Sequence, residues 1–184
     1  MKYYGDLNMG EGMAGPCPIA LCTTAIFSCM GIAMVNSQSG MAGMYHYPAN
    51  RASDEQVCGT LRQMLNDIEP SLVVITPAAA IEGSYTGSTP VDVAAIFAFI
   101  QGVTRKQPQV YASEHLACLI VRAPNDVTFN IPPPQLGRDV VQIIQDVRTR
   151  YDPEGRYVAG NLMYYGRDRE QPEQPPIDYS GHVY

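Results

Sequence analysis

A cysteine thiol beside a histidine imidazole is a nucleophile with its own base, and this chain carries both residue types. It has five cysteines, Cys17, Cys22, Cys29, Cys58 and Cys118, and three histidines, His46, His115 and His182. The cysteine number is odd and no pair has CxxC spacing, which argues against a disulfide framework and a structural zinc site. The histidines are far apart and form no metal-ligand pair. One thiol kept for its chemistry, in a reducing compartment, is the simplest reading.

Turn arithmetic brings one cysteine to one histidine. The cluster Asn36-Ser37-Gln38-Ser39-Gly40 separates two uncharged extended stretches and reads as the turn of a β-hairpin. With Ser37-Gln38 at its centre, Val35 faces Gly40 and Cys29 faces His46. Directly opposed side chains share a face with Cβ atoms ~4.5–5.5 Å apart. There the imidazole can take the thiol proton, and the ion pair lowers the thiol pKa. The alternative is a buried cysteine acting as a small hydrophobe and a half-exposed histidine before Pro48.

The elements that must position this pair are legible as an α+β layout. Residues 1–15, rich in Gly and Met, read as a flexible N-terminal arm. Residues 53–68 form the clearest helix, with a Ser53/Gln56 capping box and an apolar stripe through Val57, Leu61, Met64, Leu65 and Ile68. Residues 71–76 read as a buried strand. Thr89-Pro90-Val91-Asp92 opens a second helix expected to reach about Gln101, with Gly102 as its cap. Residues 109–113, 116–122 and 127–131 read as strands. Pro132-Pro133-Pro134 is the sharpest break; beyond it, 136–151 has helical periodicity, followed by a Pro- and Tyr-rich tail. The division is thus an arm (1–15), a domain (16–131) and a C-terminal helical and irregular extension (132–184).

Composition excludes several partners. The formal charge of −6 supplies no footprint for nucleic acid or anionic lipid. Residues 15–36 carry no charge, but two prolines, hydroxyl residues and three cysteines interrupt them, and Lys2, the only cation upstream, is outweighed by Asp6 and Glu11. A signal peptide or membrane span is therefore not expected; a buried strand pair is.

The stretch LCTTAIFSCMGIAMVNSQSGMAGMYHYPAN, residues 21–50, resembles the motif region of the CheD chemoreceptor glutamine deamidases. In that family a Thr precedes a Ser-Cys pair, and a Gly-rich turn leads to a His just ahead of a Pro. The Thr-to-Cys and Cys-to-His intervals agree with Thr23, Cys29 and His46. The element order agrees over roughly residues 20–131. Two departures stand out: Phe27 where the family usually has Gly, and Ala42-Gly43-Met44-Tyr45-His46 where it usually has Gly-Gly-Leu-x-His.

The resemblance, shared more distantly with the catalytic domain of the cytotoxic necrotizing factors, implies a layered fold with a mixed or antiparallel sheet core flanked by helices. It implies a Cys29-His46-Thr23 triad, with Thr23 fixing the imidazole tautomer and Thr24 as the competing residue. Ser28 and Cys29 would sit at the oxyanion pocket. No cofactor or metal is implied. The partner would be a protein presenting an exposed glutamine, met in the cytoplasm or after export without a cleaved signal, as an effector.

Two other readings stay open: an inactive CheD-fold protein-binding module, and a related thiol transglutaminase or protease. One geometric demand is specific. Six residues of straight strand would separate Thr23 from Cys29 by ~20 Å, so the chain must bend between them. Glu114-His115 and the Gly83–Gly87 loop are weaker candidates, the loop lacking the Lys of a phosphate-binding motif.

Overall fold

β-Branched and small apolar residues dominate the first half of the chain, and two stacked sheets bury them. The computed structural model describes residues 2–7, 9–80, 82, 86–113, 115–129 and 162–166. In chain order the elements are β1 (Lys2–Asp6), β2 (Gly12–Pro16), β3 (Ile19–Ile26), β4 (Met30–Asn36), β5 (Met41–Tyr47), α1 (Glu55–Ile68), β6 (Leu72–Pro77), α2 (Pro90–Thr104), β7 (Gln109–Val110), β8 (His115–Ala123), β9 (Asp126–Phe129) and β10 (Met163–Tyr165).

The four-stranded sheet has the order β1-β3-β8-β9 and the six-stranded sheet the order β10-β2-β5-β4-β6-β7. Both are mixed: β1 runs parallel to β3 and β7 parallel to β6, and the other pairings are antiparallel. The expected α+β class is therefore observed.

Alternation along β4 and β5 sorts their side chains between two cores. Ala33, Val35, Ala42 and Met44 pack between the sheets with Ile19, Leu21, Leu119 and Val121. Met30, Ile32, Met34, Tyr45 and Tyr47 point the other way, against Leu61, Leu65 and Ile68 of α1 and Ile96 and Ile100 of α2. The layers are thus sheet, sheet, helices. Among the described residues, no helix is long and apolar enough to cross a membrane.

Several expectations need correction. The N-terminal segment holds two strands rather than an arm: β1 pairs with β3 at the edge of the four-stranded sheet, and β2 lies between β10 and β5 in the six-stranded sheet, with Met13 and Ala14 buried. Part of the C-terminal extension returns as β10 beside β2, where Tyr165 is buried and donates to Asp67 at 3.0 Å. The Asp54 carboxylate, accepting from Gln56 and Val57, caps α1 in place of Ser53. Helix α2 continues past Gly102 to Thr104, with Arg105 as the left-handed cap. The expected helix 136–151 lies outside the described residues.

The hairpin turn is longer than the two-residue turn expected. Asn36 pairs with Met41, and Ser37–Gly40 form the loop. Asn36 Oδ1 accepts from the backbone of Gln38 and Ser39, and Gly40 takes a positive φ of 70°. Register moves by two residues, so Val35 faces Ala42 and His46 faces Gly31 rather than Cys29. A two-residue shift preserves the faces, whereas a one-residue shift would have put Cys29 and His46 on opposite sides.

Candidate functional site

The bend at residues 27–29 assembles the site. Strand β3 ends at Ile26 in one sheet and β4 begins at Met30 in the other. Chain entering Cys29 therefore crosses between layers, and Thr23 and Cys29 come from facing sheets instead of opposite ends of one strand. The bend required by the Thr-to-Cys interval is here. Cys29 lies two positions before Gly31, which makes it the diagonal neighbour of His46. Diagonal Cβ atoms lie somewhat under ~7–8 Å apart, within reach of longer side chains.

Gly31 makes room for the approach of the sheets. A Cβ there would collide with the Ala117 side chain of β8 and sit 3.5 Å from Thr23 Cγ2. The lack of a side chain opposite His46 lets the imidazole and Thr23 meet between the layers. Thr23 is fully buried and His46 is 5% exposed.

Their hydrogen bonds assign the tautomer. Thr23 Oγ1 donates to the Leu7 carbonyl at 3.0 Å and lies 2.8 Å from His46 Nδ1. Nδ1 is also 3.0 Å from the Leu7 carbonyl. A carbonyl only accepts, and the Thr23 proton is committed to it, so Nδ1 must carry a proton and donate. The lone pair of the neutral ring is then on Nε2, the nitrogen able to take a proton. After it does so, Nδ1–H keeps its acceptors, which stabilises the cation.

Backbone from the N-terminal segment holds the histidine strand as well. Gly10 N–H donates to the His46 carbonyl at 2.8 Å, and His46 N–H donates to Glu11 at 2.9 Å. The same turn carries Met9, whose Sδ lies 3.8 Å from Cys29 Sγ although Met9 is 65% exposed. Cys29 itself is 8% exposed.

Cys29 lines a cleft of about 540 Å³, together with Ser28, Met9, Pro48 and Ala49 on the apolar side. Arg51, Asp54, Gln56 and Thr60, at and near the start of α1, supply polar groups. Gly166, beyond β10, closes one wall against Gly10: its φ is +75°, and a Cβ there would strike the Gly10 carbonyl. Arg51 pairs with Asp54 at 3.0 Å. The Asp54 carboxyl is held below its usual range, chiefly by the Val57 N–H, then by the Gln56 N–H and Arg51. Burial, reinforced by Cys58 and Asp54, pushes the Tyr45 hydroxyl well above its ordinary value.

Of the residues singled out from sequence, Thr23 and His46 are hydrogen-bonded, and Cys29 and Ser28 line the cleft. Cys17, Cys22, Cys29 and Cys58 are not in disulfide bonds. Glu114 and residues 83–85 lie outside the described residues. Leu7, Met9 and Gly166 were not anticipated: a backbone carbonyl leaves no sequence signal, and a Gly- and Met-rich stretch looks like a linker. The sequence matches no protein-family model, and no curated protein matches it either.

Proposed function

We propose that this chain is a cysteine-dependent hydrolase that converts glutamine side chains of a target protein to glutamate. The Thr23–His46 hydrogen bond, set against the Leu7 carbonyl that both groups face, carries this reading, because it leaves Nε2 basic on the face shared with Cys29. A cleft of about 540 Å³ is in the range that admits a side chain of glutamine size.

In the proposed reaction His46 takes the Cys29 proton and the thiolate attacks the glutamine Cδ, forming an S–C bond. His46 returns the proton to nitrogen as the C–N bond breaks, and ammonia leaves. His46 then deprotonates water, which attacks the thioester; the S–C bond breaks, glutamate departs and the thiol is restored. Backbone N–H groups near Ser28 and Cys29 are the candidate oxyanion donors. The partner this requires is a protein with an exposed glutamine, and the chemistry needs no cofactor.

The Met9 contact favours a second reading, a CheD-like docking module whose thiol is covered and does not turn over. Ammonia release and a +1 Da change at glutamine in exposed proteins separate the two. Both signals are expected from the wild type and absent from Cys29→Ala and His46→Ala. Ammonia release unchanged in His46→Ala ends the deamidase assignment; peptide fragments in place of ammonia indicate thiol proteolysis.

A further inference from the structure

We infer that Ser88 is a positioning residue for the Cys29 nucleophile, an inference that rests on the deamidase reading above. Ser88 Oγ donates to the Cys29 carbonyl at 2.8 Å and accepts from the Ala78 N–H at 2.8 Å. Its own N–H donates to the Ala78 carbonyl at 2.9 Å. The serine is therefore fixed to the end of β6 on two sides, with its hydroxyl proton aimed at the residue that carries the thiol. Cys29 lies in the inter-sheet bend, one residue before β4. Pinning its carbonyl fixes the peptide plane attached to its Cα, and so the direction in which Cα–Cβ leaves toward the cleft. A displacement of ~1 Å at a reacting atom can cost about 10²-fold in rate.

The approach of Ser88 is built into the preceding residue. Gly87 has φ of +72°, and a Cβ there would lie 2.6 Å from the Ala78 carbonyl oxygen and 2.7 Å from the Ala80 nitrogen. The segment then enters α2, where Asp92 is 5% exposed and accepts from Asn50 N–H at 2.9 Å and Tyr47 hydroxyl at 3.3 Å. Tyr47 adjoins His46. Five consecutive residues, Ser88 to Asp92, thus hold the chain at the thiol and the chain just past the imidazole.

The fold provides its own control. At the far end of β4, Ser71 Oγ donates to the Val35 carbonyl at 3.0 Å. That is the same chemistry on the same strand, remote from Cys29. Loss of either hydroxyl weakens the anchoring of β4, but only Ser88 touches the nucleophile.

The test is iodoacetamide alkylation near neutral pH, with peptide mass spectrometry reading each thiol. Groups that could set the Cys29 rate are His46, its diagonal neighbour on β5, and Arg51, Asp54 and Tyr45 along the cleft, and the variants alter none of them. In the wild type Cys29 is expected to react faster than Cys17 and Cys58, although both are more exposed. Ser88→Ala is expected to slow Cys29 by up to about 10²-fold, with Cys17 and Cys58 at their wild-type rates.

Ser88→Thr keeps the hydroxyl and is expected to restore the wild-type rate. Ser71→Ala is expected to keep it while lowering the melting temperature. A fast wild-type Cys29 whose rate Ser88→Ala leaves unchanged overturns the positioning role alone, as does a loss in Ser88→Thr equal to that in Ser88→Ala. A wild-type Cys29 no more reactive than Cys17 and Cys58 overturns the deamidase reading, and this inference with it.

Discussion

Thr23 Oγ1 and His46 Nδ1 lie 2.8 Å apart although one belongs to the four-stranded sheet and the other to the six-stranded sheet. The bond joins the layers at a place where both partners are buried, and together with the Leu7 carbonyl that both face it decides which ring nitrogen is basic. Thr23→Val keeps the shape but removes one of the two acceptors facing Nδ1–H, leaving the Leu7 carbonyl, and also removes the donor to Leu7. In the proposed hydrolase, ammonia release is expected to fall about 10²-fold, within the usual contribution of an oriented base. Denaturant unfolding should show a loss of about 1–3 kcal/mol from the disrupted buried polar groups. Thr23→Ser retains the hydroxyl and should keep most activity. Equal activity in the valine and serine variants would remove Thr23 from the mechanism.

Gly31 sets the spacing in which that bond forms. Gly31→Ala directs a methyl group at the Ala117 side chain, and neither neighbour is a flexible side-chain end that can swing aside. Overpacking of this kind costs about 1–3 kcal/mol. The layers must also separate locally, which lengthens the Thr23–His46 contact. A lower denaturation midpoint together with loss of ammonia release is the expected pair of results. A fully stable Gly31→Ala protein would mean that the sheets have slack there.

Met9 contacts the thiol while most of its own surface remains in solvent. Truncation in Met9→Ala removes the sulfur that accepts from the Cys29 S–H at 3.8 Å and so uncovers the thiol. Alkylation of Cys29 is expected to become severalfold faster. That is the opposite of the result expected of Ser88→Ala, in which alkylation slows. An unchanged rate in Met9→Ala would show that reagent already reaches the sulfur past this side chain.

Much of the candidate site was legible because strand alternation is robust to small errors. A two-residue turn puts the hairpin two residues out of the observed register, yet Cys29 and His46 still fall on one face. The error came from Asn36, whose side chain organises the turn and lengthens it by two residues. Both helices were visible from their capping residues and apolar stripes, although the cap of α1 proved to be Asp54 rather than its neighbour Ser53. The sequence demands a bend between Thr23 and Cys29, but not that it falls at residues 27–29 or crosses between sheets, since no Gly or Pro marks it. Nor could it supply contacts made by backbone, such as Leu7 to His46, or by residues distant along the chain, such as Ser88 to Cys29.

Asp54 ties the polar side of the cleft to the pH dependence of stability. Its carboxylate accepts from the Gln56 and Val57 N–H groups at 3.0 and 3.1 Å, and Arg51 lies 3.0 Å away. These donors favour the charged form, so the folded-state value lies below the unfolded one, ~3.9 for an ordinary aspartate. Between the two values the unfolded chain binds more protons. Stability from Asp54 is therefore fully present above the unfolded value and is lost as pH falls through the folded value. Asp54→Asn retains a capping oxygen but does not titrate. Melting temperatures should favour the wild type near neutrality, and the gap should close below about pH 4. Every other carboxylate titrates alike in the two proteins, so the difference isolates this one group. A gap that persists undiminished into acid would mean that the charge on Asp54 does not stabilise the start of α1.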